Sequence, residues 1–105
     1  MTVFVVYVTT ANQAEALAIG RATVDSRLAA CANILGPTKS IYAWRGEVCE
    51  GSEVALLLKT NAAKLEALTR LLKDLHSYDC PCVVALPVVA GNPEFLDWID
   101  SQISD

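Results

Sequence analysis

Three short segments of this chain are apolar at consecutive positions rather than at every second one. Val3–Thr9 reads VFVVYVT, Val54–Thr60 reads VALLLKT and Val83–Val89 reads VVALPVV. Short β-branched and aromatic runs bounded by polar residues are strands. Successive strand side chains point to opposite faces, so both faces are apolar here. Phe4, Val6 and Val8 oppose Val3, Val5 and Tyr7; Val54, Leu56 and Leu58 oppose Ala55 and Leu57; Val84, Leu86 and Val88 oppose Val83, Ala85 and Val89. An antiparallel sheet with one solvated face alternates apolar and polar instead. Whatever the fold, both faces of this sheet have to be covered.

The intervening residues supply the rest of the pattern. Asn12-Gln13-Ala14-Glu15 is a capping-box arrangement, and a helix is expected from there to about Arg27. Its predicted buried stripe is Ala14, Leu17, Ala18, Val24 and Leu28, interrupted by Arg21 and weakened by Gly20. Ala32–Leu35 opens a second strand, Gly36-Pro37 bends it, and Ser40–Trp44 continues it. Arg45-Gly46 is a turn, from which Glu47 starts the return strand of a hairpin. A second helix is expected from about Thr60-Asn61, with Leu65, Leu68, Leu72 and Leu75 at helical spacing and Leu71 widening the face; it stops before Pro81. Pro87 marks the last strand as an edge or a bulged one. Asn92-Pro93-Glu94 opens a short C-terminal helix through about Ile103, carrying Phe95, Trp98 and Ile99.

The order βαββαβ, followed by a short helix, predicts an α+β ferredoxin-like sandwich: a four-stranded antiparallel sheet with two helices on one face. The other face would then expose about eight large apolar side chains, more than a monomer usually shows. Another copy of the same chain is the simplest cover, so a homo-oligomer is expected.

Length and charge narrow the class. The 105 residues form one domain, 1–105, since two independent cores would leave each half too small to fold unaided. Eight basic against twelve acidic side chains, a net charge of −4, argue against a nucleic-acid footprint. Apolar residues make up 53% of the chain, ample for a core, yet no apolar run approaches the roughly 20 residues of a spanning helix, so no membrane is expected. No basic segment or small-residue cleavage site precedes the first strand, and the expected compartment is the cytoplasm. Cys31, Cys49, Cys80 and Cys82 are accordingly expected as free thiols.

Several motifs are more specific than this pattern. They are Arg27-Leu28-Ala29-Ala30-Cys31-Ala32-Asn33, Ser40-Ile41-Tyr42-Ala43-Trp44-Arg45-Gly46-Glu47-Val48, Leu58-Lys59-Thr60 and His76-Ser77-Tyr78-Asp79-Cys80-Pro81. Ala85-Leu86-Pro87-Val88 and Gly91-Asn92-Pro93-Glu94-Phe95-Leu96-Asp97-Trp98-Ile99 complete the set. In this order they make the chain resemble the CutA divalent-cation tolerance family from end to end. The resemblance implies a ferredoxin-like subunit in a tight homotrimer, its sheets packed around the threefold axis, a shape shared with PII-type signalling proteins. It also implies copper and other divalent-ion binding near the His76-Ser77-Tyr78 segment. Leu75, Val8, Ser77 and Cys82 stand where some relatives carry histidine, cysteine, proline and glutamate.

Three groups of residues carry possible chemistry. His76-x3-Cys80-x-Cys82 offers an imidazole and two thiols, a soft donor set suited to a Cu or Zn ion. The same cysteines read more readily as a small packed hydrophobe (Cys80) and a thiol at a subunit boundary or in solvent (Cys82). Cys31 reads as core, and Cys49 as an exposed thiol without a partner. Tyr42, Trp44, Lys59 and Tyr78 would surround an intersubunit cleft if the hairpin crosses into a neighbour, with the lysine available to an anionic small molecule; the rings are also interface anchors by type. Glu47, Glu50 and Glu53, with Asp74 and Asp79, read as a solvated face rather than a hard-ion site. No nucleophilic triad, metalloprotease helix or phosphate loop is present, and a single histidine offers little acid–base chemistry, so no enzyme is expected. The leading expectation is a trimeric, non-enzymatic protein of divalent metal (copper) tolerance with weak metal binding. The alternatives are a PII-like sensor of a small anionic ligand and a purely structural trimeric scaffold.

Overall fold

The computed structural model describes all 105 residues, as seven elements: β1 (Val3–Thr10), α1 (Gln13–Asp25), β2 (Cys31–Trp44), β3 (Glu47–Asn61), α2 (Leu65–Leu75), β4 (Val83–Pro87) and α3 (Pro93–Ile103). Every sheet pairing is antiparallel and the strand order is β2-β3-β1-β4, which puts β4, with its Pro87, at an edge. Val6 pairs with Leu58 on one side and Ala85 on the other, so three strands bring apolar side chains to the same face. There α1 and α2 close over Val6, Val8, Leu56 and Leu58, all fully buried, with Ile19, Leu68 and Leu72 from the helices.

The first helix begins as its cap predicts. The Asn12 side chain accepts the Glu15 N–H at 2.8 Å, and Glu15 Oε1 accepts the Ala11 N–H at 2.9 Å. Its buried face is not the predicted stripe. Ala16, Ile19, Gly20 and Thr23 are buried, whereas Ala14, Ala18 and Val24 are exposed and Leu17 is 53% exposed. The reason is Gly20, where a Cβ would lie 3.1 Å from the Ala32 Cβ. The helix touches β2 at its glycine, and the apolar count around that contact matters less than the close approach. The second helix starts later than expected, because Asn61 stays in β3 and its Oδ1 accepts the N–H groups of Ala63 and Lys64 instead. Leu68 and Leu72 are buried, while Leu75 is exposed.

On the far face of the sheet, α3 packs Ile99 and Ile103 against Val3 and Ala30. It covers one end only. Leu35, Val84 and Leu86 are 57%, 50% and 55% exposed on the remainder, the uncovered apolar face that the two-sided strands imply.

Gly36-Pro37 does more than bend β2. Ile34 pairs with Leu56 but Gly36 pairs with Ala55, so Leu35 is an extra residue, a β-bulge beside a glycine at φ +100°. Before the bulge, Ala32 and Ile34 face the helices. After it, the even-numbered residues Thr38, Ser40, Tyr42 and Trp44 pair with Glu53, Gly51, Cys49 and Glu47, in line with Ala55 and hence on the far face. Arg45 (φ 51°) and Gly46 (φ 82°), both left-handed, form the tight reversal that suits a twisted two-residue hairpin.

Candidate functional site

The inverted parity of the hairpin brings its rings to the same face as Tyr7 and Thr9 of β1. The segment between α2 and β4 forms the opposite wall. Between them lies a cleft of about 790 Å³. Tyr42, Trp44 and Tyr78, three of the four residues expected around a cleft between subunits, line this cleft within one subunit. Tyr7, Glu53 and Asp79 line it as well, and sequence reasoning did not select them for it. The Gly36-Pro37 pair was the available signal for these, since a bulge there decides which face Glu53 shares.

One hydrogen bond ties the two walls. Tyr78 Oη donates to Glu53 Oε2 at 2.9 Å. Burial pushes the Tyr78 phenol up, and the Glu53 carboxylate beside it pushes further, to about 12. The loop carrying Tyr78 is fixed from below by His76 and Glu15. His76 Nδ1 accepts the Tyr78 N–H at 3.1 Å, so Nε2 carries the proton and donates it to the Thr9 carbonyl at 2.7 Å. Glu15 Oε2 accepts the Ser77 N–H at 2.9 Å. Burial raises the Glu15 carboxyl, but hydrogen bonds from Ala11 and Ser77 and the field of His76 outweigh it, and the group titrates below its ordinary value.

The soft-metal candidates are not assembled into a donor set. Cys80 is exposed, Cys82 is half-buried, and both line the cleft as free thiols. His76 is buried with both ring nitrogens engaged, acting as a brace between β1 and the Tyr78 loop. No group of three or more His, Cys, Asp or Glu side chains is placed to hold a metal ion. Lys59 is also apart from the rings. Its Nζ donates to Asn33 Oδ1 at 2.8 Å and lies 5.5 Å from the centroid of Phe95, near α3 rather than on the cleft lining. Cys31 and Cys49 are free and half-buried.

The fold and the cleft together define a ferredoxin-like α+β domain with an aromatic groove beneath a long hairpin arm. The pattern for the CutA1 divalent ion tolerance protein matches residues 4–102, and the chain belongs to this family. A divalent-cation tolerance protein CutA from Thermus thermophilus is 45% identical over 95 residues, which are 90% of this chain and 92% of that one. Protein CutA from Mus musculus is 43% identical over 93 residues, 89% of this chain, which spans only 52% of the mouse protein. Among solved structures, CutA1 from Oryza sativa superposes with a TM-score of 0.96 at 36% identity, covering 100% of this chain and 96% of that one. The Thermus thermophilus structure gives 0.95 at 42% identity, over 97% and 99%. A relative from Arabidopsis thaliana is named as chloroplastic and a structure from Archaeoglobus fulgidus as periplasmic. No helix of the present chain is long and apolar enough to cross a membrane.

Proposed function

We propose that the chain is a non-enzymatic, cytoplasmic homotrimer of the CutA type that serves divalent-cation tolerance and takes copper or zinc weakly. The observation that carries the assembly is the uncovered apolar face at Leu35, Val84 and Leu86, opposite a complete core. Isolated subunits seldom leave such a face in water. The metal contact falls to the thiols of Cys80 and Cys82, which are free and line the cleft, with further ligands from water or a neighbouring subunit. His76 contributes by holding the loop. Membership of a divalent ion tolerance family supports the biological role.

Native mass spectrometry of reduced protein without a histidine tag, titrated with Cu(I), Cu(II) and Zn(II), tests both parts. The expected result is a trimer that takes up three ions and loses them in a Cys80→Ser/Cys82→Ser variant while remaining a trimer. A trimer that stays empty until large metal excess removes the thiol site, and a monomer removes the assembly.

A further inference from the structure

We propose that His76 is a proton-operated latch: protonation of its ring frees the loop before β4 that the neutral ring holds against β1 and α1. His76 is the only histidine in the chain, buried where the end of α2 meets the end of β1. β4 pairs with β1 no further than Val8, and the ring takes the Thr9 carbonyl one residue beyond, donating from Nε2 at 2.7 Å. Its Nδ1 accepts the Tyr78 N–H at 3.1 Å. Only a neutral imidazole does both, because the protonated ring carries an N–H on each nitrogen. Protonation sets the Nδ1–H against the Tyr78 N–H, so two donors face each other at a buried nitrogen. The bond to Thr9 survives, and the ring stays seated on β1 while the loop loses its hold.

A second bond to the loop fails with the first. Glu15 Oε2 accepts the Ser77 N–H at 2.9 Å, and its carboxylate lies in the field of His76. A charged ring with a free N–H competes for that carboxylate, and charge-assisted hydrogen bonds are about twice as strong as neutral ones. Glu15 then turns to the ring and Ser77 is released. The groups facing the ring have one sense. They are Glu15 from α1, the Thr9 carbonyl from β1, and the Tyr78 ring 4.6 Å away in the loop, with Glu53 of β3 bonded behind it. α2 offers only the Leu72 carbonyl, which accepts the His76 backbone N–H; its Lys73 and Asp74, like Asp79 of the loop, are exposed. The remaining tie, Tyr78 Oη to Glu53 Oε2 at 2.9 Å, joins the loop to the root of the hairpin arm, so the proton also loosens the arm. Every one of these bonds lies within one subunit, and the ring is already buried there, so the latch does not depend on what covers the far face. Histidine is the side chain whose charge ordinarily changes in the physiological range.

The test is hydrogen exchange of the Ser77 and Tyr78 amides from neutral to mildly acidic pH, each rate divided by the intrinsic rate at that pH. The sample is the assembled protein without a histidine tag, under chelator. The Cε1–H resonance of the ring, unambiguous in a chain with one histidine, reports protonation in the same samples. The Tyr78 amide should lose protection in step with the ring, by about five- to 150-fold, the range for leaving one buried polar group unpaired. Ser77, nearer the surface, should lose less. Amides of the Val6–Leu58 rung should keep their protection, which separates release of the loop from unfolding. Glu15→Gln removes the charge that favours the imidazolium, so ring and amides should move together to lower pH; a carboxylate that only bridged backbone groups would leave the ring where it is. His76→Gln takes up no proton and should show no step. The Cys80→Ser/Cys82→Ser variant should keep the step, so the latch stands or falls apart from the metal reading. Amides that stay protected through the ring's titration, a ring that stays neutral until the core unfolds, or the same step in His76→Gln would overturn the proposal.

Discussion

Replacing Leu86 by aspartate separates a covered far face from a bare one. Leu86 pairs with Val5 on that face and is 55% exposed in the single chain. Burying a leucine side chain completely is worth roughly 1.5–3 kcal/mol, so covering its exposed half contributes about 1–1.5 kcal/mol per subunit. Aspartate forfeits that and adds a carboxylate with no partner in an apolar contact, a further cost of about 3 kcal/mol or more. The sum, about 4 kcal/mol per subunit, weakens association by roughly three powers of ten. In a lone chain the same change at a half-exposed position costs only about 0.5–1 kcal/mol. Leu58→Ala calibrates the comparison. Leu58 is fully buried on the helix face, so its truncation should cost about 2–5 kcal/mol without altering how many chains associate. Sedimentation velocity over a concentration series, with urea unfolding of the same samples, reads both quantities. If Leu86→Asp sediments with the parent at every concentration and unfolds at the same urea midpoint, the reasoning from the two-sided strands is refuted.

Three further outcomes are expected. Gly46→Ala places a Cβ on a residue at φ 82° and should cost about 1 kcal/mol, read as a lower urea midpoint at unchanged slope. Alkaline titration by ultraviolet absorbance should show one of the three tyrosines ionising only near pH 12, and Glu53→Gln should bring that step down. The Tyr78 phenol is raised in the folded state, so its contribution is complete below the ordinary value of 10.0 and is lost as pH climbs towards about 12. Glu15 has the opposite sign: its depressed carboxyl stabilises the fold above its ordinary value of 4.5, and that support is lost as pH falls further. Glu15→Gln should therefore be less stable at neutral pH and lose less on acidification, which urea midpoints at neutral and acidic pH measure.

Periodicity was informative where one rule governed a segment and misleading where two competed. The α2 leucines fall where the helical repeat puts them, apart from Leu75 at its end, because nothing but burial selects that face. In α1 the same repeat pointed to Leu17 and Val24, while the sheet required the close approach that only Gly20 permits. Counting apolar residues cannot detect a contact made by a missing side chain. Strand parity explains the site in the same way. Tyr42, Trp44 and Tyr78 were recognisable by type, but their meeting with Tyr7 and Glu53 depends on one extra residue at Leu35, which composition does not reveal. Lys59 and His76 were chemically reasonable candidates whose donor and acceptor atoms are occupied by Asn33, Thr9 and Tyr78, partners visible only after folding.

The hairpin also bears on the order in which the chain can assemble. Trp44 and Glu47 meet across a two-residue turn, and each later rung, out to Cys31 with Lys59, follows from its predecessor without closing a new loop. The β4 rungs have no such route, since Val5 must find Leu86 across almost the whole polypeptide. Loop-closure entropy therefore sets a sequence in time: the arm can zip early, while the edge strand that completes the apolar face is added late. The Gly46→Ala penalty should then fall mainly on the folding rate in stopped-flow measurements and leave unfolding nearly unchanged; the reverse partition would place the turn after the transition state. A chain built in this order withholds its stickiest surface until the rest of the subunit is ready to receive a neighbour.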